Sequence, residues 1–260
     1  MRRAPTVIAT IALSLLALPA VACALPTVKF KAEAVSIPGF KGTGNILGAG
    51  AAVHAEYKIE GTEYGGFPPP LIGVNFYLPS GSKLHTSGFP TCTKSVLEQT
   101  GPKGCKARSH AGPTGNALGI VSFGSERVEE HTTIESFYAP GGGIEFFTDG
   151  HTPTSLEILS AGHYIHLGGA AGYGPELITE IPLVSTVPGA PYASVETINV
   201  KAGSAYKSHG KAVYYGRVPK TCPKGGFPIK TELIFDEEGA PPPYKKAIVT
   251  KTYKSPCPRK

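Results

Sequence analysis

Three sets of residues in this sequence are of types and spacings that could do chemistry. The stretch "RVEEHTTIES" holds Glu129, Glu130, His131 and Glu135, and paired carboxylates beside an imidazole are what glycoside hydrolysis or general acid–base catalysis requires. "HYIHL" places His163 and His166 three apart, a spacing that serves a metal ion only on a helix. "TCTKSVLEQTGPKGC" sets Cys92 and Cys105 with twelve residues between them, and Cys222 and Cys257 follow further on. Such cysteines could be a metal clip, a redox pair or covalent staples.

The elements that must carry these residues decide among the chemistries. The hydrophobic period is two. "TVKFKAEA" sets Val28, Phe30 and Ala32 against Lys29, Lys31 and Glu33, and "VHAEYKIE" sets Val53, Ala55, Tyr57 and Ile59 against His54, Glu56, Lys58 and Glu60. Strict alternation marks strands with one face in the core and one in water. Further strands are expected at 72–78, 117–123, 131–138, 144–148, 163–167, 177–184, 194–200, 212–218, 229–235 and 247–253, separated by turns such as "APGGG" and "EEGAPPP". One helix is expected, inside the cysteine ring, with Ser95 and Glu98 as its capping box and Gly101-Pro102 as its end. The 33 glycines and 25 prolines agree with many short elements, and a 41% hydrophobic content with a real core. The expected fold is all-β: an antiparallel β-sandwich with one short helix in the Cys92–Cys105 loop. Residues 25–260 read as a single large domain, two tandem small sandwiches being the alternative.

On strands, most of the chemistry dissolves. His163 and His166 point to opposite faces. Glu129, His131 and Glu135 share a face while Glu130 lies on the other, which reads first as a solvated strand face. Two aspartates, Asp149 and Asp236, are all that the chain has, and no calcium loop surrounds them. "GTGNILGAG" is neither a dinucleotide nor a phosphate loop. No nucleophile elbow or other hydrolase signature occurs. The expectation is therefore no cofactor, no metal site and no catalytic constellation.

The compartment settles the reading of the cysteines. Arg2 and Arg3 precede the apolar run 7–18, and the small-residue patterns Ala20-Val21-Ala22 and Ala22-Cys23-Ala24 follow. That is the layout of a secretory signal peptide, residues 1–24, and the apolar run is too short to span a membrane. No later stretch approaches the roughly 20 apolar residues of a membrane helix, so no transmembrane segment is expected in the mature chain. Removal of Cys23 with the signal, or its lipidation as an anchor, leaves Cys92, Cys105, Cys222 and Cys257 out of five cysteines. In an oxidising compartment four cysteines are two structural disulfides. Three pairings exist, and local closure favours Cys92–Cys105 with Cys222–Cys257. Absence of CxxC and of neighbouring histidines argues against zinc and redox roles.

Charge is unevenly spread. Residues 25–200 hold ten basic and fifteen acidic residues, a net of −5; residues 201–260 hold thirteen basic and four acidic, a net of +9. The basic tail suggests contact with an anionic envelope polymer or membrane surface through Lys245, Lys246, Lys251 and Lys254. Nucleic acid is not expected, because no basic helix or stacking motif accompanies the charge.

"NFYLPSGSKLHTSGFPTC" (75–92), "LEQTGPKGC" (97–105), "KTCPKGGFPIKTELIF" (220–235) and "TYKSPCP" (252–258) together resemble a family of uncharacterised exported proteins of high-GC Gram-positive bacteria. The shared features are a Leu-Pro-x-Gly turn, a cysteine pair around "GP" and a Cys-Pro-Lys-Gly-Gly segment. Lys106 departs from the proline expected after the second cysteine, which bears on loop shape. The resemblance covers roughly residues 70 to 258; it implies export and four structural cysteines and carries no catalytic residue. The functional expectation is a secreted or cell-surface, non-enzymatic binding or structural protein of the envelope, the alternative being a secreted hydrolase with an unrecognised site around Glu129, His131 and Glu135. The intact mass of the exported protein should correspond to cleavage after Ala24; an added diacylglycerol would place Cys23 in a lipid anchor instead.

Overall fold

Alternating strands need a shared interior. In the computed structural model, which describes residues 25–123, 126–236 and 245–258, they obtain it by curling into a barrel. The signal peptide expected at residues 1–24 lies outside the described residues. In chain order the elements are β1 (Thr27–Val35), β2 (Ala52–Glu60), β3 (Leu71–Pro79), β4 (Lys83–Leu84), α1 (Lys94–Thr100), β5 (Gly115–Phe123), β6 (Glu126–Tyr138), β7 (Ile144–Gly150), β8 (Leu156–His166), β9 (Tyr173–Glu180), β10 (Ser194–Ala202), β11 (Ala205–Ser208), β12 (Lys211–Tyr214), β13 (Gly216–Arg217), β14 (Phe227–Asp236) and β15 (Lys246–Ser255). Eleven of these strands form one sheet in the order β1-β2-β10-β5-β6-β7-β8-β9-β3-β14-β15, with every neighbour antiparallel. β4 pairs with β13, and β11 with β12, in two small ladders.

The all-β class and the antiparallel pairing agree with the sequence, but the sandwich does not. The edge strands β1 and β15 come alongside each other, with the ring of Phe30 edge-on to Tyr253 at 6.5 Å and stacked on Tyr57 at 5.1 Å. Sandwiches and barrels both put alternate residues inside, so period two cannot separate them. What separates them is curvature. Register shifts in the β10–β5, β14–β3 and β3–β9 pairings supply it, because a bulge bends and twists a strand. Gly162 does the same on the inner face of β8, where an added Cβ would lie 3.0 Å from the Ile144 carbonyl oxygen and from Leu177. Strand boundaries also differ locally. β8 begins seven residues before the expected 163–167, and the expected 212–218 strand is broken into β12 and β13.

Because all the main strands alternate in direction, the barrel has two ends. One end collects the starts of β1, β3, β6, β8, β10 and β15. The other collects their finishes together with the starts of β2, β5, β7, β9 and β14. The first end is plugged. Glu130, fully buried, accepts hydrogen bonds from the backbone N–H groups of Thr152 (3.0 Å) and Thr154 (3.2 Å), drawing the β7–β8 turn inward. On the outer face of β6, Arg127 donates to the Tyr64 carbonyl at 3.0 Å and to Ser194 Oγ at 2.9 Å, and its guanidinium sits over the rings of Tyr64 and Phe67. These contacts tie down the loop that joins β2 to β3.

The cysteine ring packs on the outer wall. Leu97 of α1 is buried with Cys92 against Phe137 of β6 and Phe147 of β7. The helix is capped two residues earlier than expected: Thr93 Oγ1 accepts from the Val96 N–H at 3.3 Å, while Glu98 pairs with Lys94 at 3.6 Å. Gly101, at φ 63°, ends it as expected. The disulfides are Cys92–Cys105 and Cys222–Cys257, the locally closed pairing. Two disulfides accord with an oxidising, non-cytoplasmic location. Among the described residues no helix is long and apolar enough to cross a membrane.

Leu97 is the only buried side chain of α1 and makes the helix's main contact with the wall. Leu97→Ala should lower unfolding free energy by about 2–4 kcal/mol in denaturant titration with the disulfides intact. A loss under about 0.5 kcal/mol would mean that contacts other than Leu97, such as Cys92 N–H to the Tyr138 carbonyl, hold the ring to the wall.

Candidate functional site

The inner faces of the strands do not fill the barrel. Eight strands make an interior that side chains can just fill, and this sheet has eleven. Inward apolar residues that a close-packed core would seal off remain partly accessible: Val74 and Phe76 on β3, Phe146 on β7, Leu177 on β9, and Ile198 and Val200 on β10. They line an apolar cavity of about 240 Å³. Two side-chain clusters bracket it. One, near the β1–β15 seam, includes Tyr57, Leu71, Ile229 and Leu233. The other includes Phe89, Tyr138, Ile144 and Tyr215, with the Tyr138 and Tyr215 rings stacked at 4.2 Å.

The polar groups on this wall are few. Tyr57 and Tyr215 are already engaged, with Thr231 Oγ1 (3.3 Å) and the Gly142 carbonyl (2.8 Å). Burial pushes the hydroxyls of Tyr57, Tyr164 and Tyr215 up, well beyond the ordinary phenol range. They stay protonated and uncharged at any physiological pH. The cavity meets solvent at the unplugged end of the barrel, where the exposed residues Lys83 and Arg217 form part of its lining. A space of this size exceeds the roughly 150 Å³ in which an apolar cavity stays dry and accepts benzene. What this arrangement can do is take an apolar body out of water.

The residues singled out in the sequence lie elsewhere. Glu129, His131 and Glu135 project from the outer face of β6, as the alternation requires, and Glu130 points inward. His131 (78% exposed) lies 3.8 Å from Glu129, whereas Glu135 pairs with His110 at 2.9 Å. At about 3.3 Å per strand residue, Glu129 and Glu135 are some 20 Å apart along β6, beyond the 5–9.5 Å or so of glycosidase carboxylate pairs. His110 itself borders a surface hollow with Phe89, Arg108, Ser204 and Tyr206. Both of its nitrogens are taken, by Ala107 O (3.1 Å) and Glu135, and Ser204 Oγ is bonded to the Tyr138 hydroxyl at 2.8 Å. No nucleophile–base pair is assembled there.

His163 and His166 lie on opposite faces of β8. Among the described residues no group of three metal-ligating side chains forms. The four lysines of the basic tail are dispersed. Lys245 and Lys246 lie at the plugged end and Lys254 at the open end, eight residues or about 27 Å further along β15. Lys251 is on the opposite face of that strand from Lys246 and Lys254. Sequence reasoning overlooked the cavity. Its signal was present in the inward apolar residues, but they read identically whether the interior is full or hollow.

Comparison with protein families, curated proteins and solved structures finds no match to this chain.

If the interior has spare room, adding bulk to its wall should be tolerated. Val200→Phe should leave thermal stability unchanged or raise it by up to about 1 kcal/mol. A loss of several kcal/mol in calorimetry would show the wall to be close-packed already.

Proposed function

We propose that this protein is an exported, non-enzymatic binding protein of the envelope or extracellular space, and that its binding site is the barrel interior, which takes an apolar molecule. One observation carries the reading: an apolar cavity of about 240 Å³, plugged at one end and open at the other, inside a β wall held by two disulfides. The signal-like N-terminus and the resemblance to exported proteins support the location.

An anionic envelope polymer bound through Lys245, Lys246, Lys251 and Lys254 has less support, because no single face gathers the four. The hydrolase reading has less support as well, because Glu129 and Glu135 are far apart on an outer wall.

The test is titration of the mature protein with N-phenyl-1-naphthylamine, whose fluorescence rises in apolar surroundings. Saturable binding at micromolar concentrations is expected, and Val200→Phe should weaken it at least fivefold while leaving the circular dichroism spectrum unchanged. No enhancement with wild type, or equal binding by the variant, would sink the interior as the site.

A further inference from the structure

The open end of the barrel is built for charge. β4 and β13 lie across it, and their register sets Lys83 directly opposite Arg217. Like charges facing each other across two strands are destabilising, and neither cation forms an ion pair among the described residues. Among the described residues the one carboxylate on the cavity lining, Glu33, lies 3.5 Å from Lys31 and 3.9 Å from His54.

Arg217 is held in place. Its guanidinium lies over the Tyr214 ring, 4.8 Å from the centroid, and the Phe40 ring meets Tyr214 edge-on at 6.2 Å. Tyr214 in turn lies flat on Gly50, where any Cβ would collide with its ring. A planar, pre-oriented guanidinium is the form that grips a carboxylate or phosphate in two-point fashion. Lys220 and Lys224 follow Arg217 in the same connection, and Lys254 is the penultimate residue of β15, which finishes at this end. Arg217, Lys220, Lys224 and Lys254 therefore put part of the positive charge of the last sixty residues at the open end, where it adds to the field at the entrance.

On the strength of the interior as a binding site, on which this inference rests, we infer that the ligand is a single-chain amphiphile with an anionic head. Its alkyl chain enters the cavity, and its carboxylate or phosphate monoester is held at the rim by Lys83 and Arg217. The chain satisfies the apolar wall, and the head relieves the repulsion between two facing cations. A neutral lipid would do the first alone.

The experiment is competition against bound N-phenyl-1-naphthylamine by dodecanoate, dodecyl phosphate and 1-dodecanol, three ligands with one chain and different heads. It is run on the mature protein and on the K83Q/R217Q double variant, at low and high salt. With wild type, at least one of the two anions should compete at about tenfold or more below the alcohol, as expected for charge-assisted hydrogen bonds, and the preference should shrink as salt rises. The anion that competes more strongly identifies the head as carboxylate or phosphate. In the double variant the preference should fall to within twofold while the circular dichroism spectrum stays unchanged, which shows the fold intact. Equal competition by the anions and the alcohol in wild type overturns the anionic head and leaves the apolar interior standing. A preference that survives in the double variant overturns the role of Lys83 and Arg217. If the naphthylamine itself fails to bind wild type, the interior reading falls and this inference falls with it.

Discussion

Closure of the sheet is the constraint on which the rest of this structure depends. Each of the eleven strands must turn one face to water, because residues such as Lys29, Glu56 and Lys58 alternate with Phe30, Ala55 and Tyr57. Were the sheet open, the inner faces of β1 and β15 would be stranded at its margins. Curling until the Phe30 and Tyr253 rings meet gives those faces a common interior. Two edges that lie together through side chains present less free backbone to other chains than open edges would.

Closing so many strands has a geometric consequence. Circumference grows with strand number, and the space inside grows faster than the side chains that point into it. The protein answers differently at its two ends. At one, the inward carboxylate of Glu130 draws the β7–β8 turn in through two backbone N–H groups, while Arg127 on the outer face holds the β2–β3 loop. At the other, the aromatic cluster around Tyr138 and Tyr215 and the short β4–β13 ladder leave an entrance. The empty volume between is dispersion energy forgone, and such a loss persists where the space itself is of use.

The outer wall shows why suggestive residues need not form a site. Glu129, His131 and Glu135 satisfy the composition of an acid–base set, yet a strand spreads them along one line and convergence would need a second element facing them. The element that does cover this wall, α1 with its cysteine ring, meets Phe137 and Phe147 and serves packing.

Strand content, the alternation of faces, the helix within the cysteine ring, its end at Gly101 and the local disulfide pairing were all legible in the sequence, because each depends on neighbours close along the chain or on simple loop closure. The opposite faces of His163 and His166, and of Glu129 and Glu130, followed from the same period of two. Capping was misplaced by two residues because both Thr93 and Ser95 can accept a backbone N–H, and the packing of Leu97 chose between them. Whether inward faces meet a second sheet or one another, how much room is left between them, and that Lys83 meets Arg217 across a gap of more than a hundred residues are not local properties. Curvature summed over eleven strands decides the first two, and the register of β4 against β13 decides the third; no segment of the chain encodes either by itself.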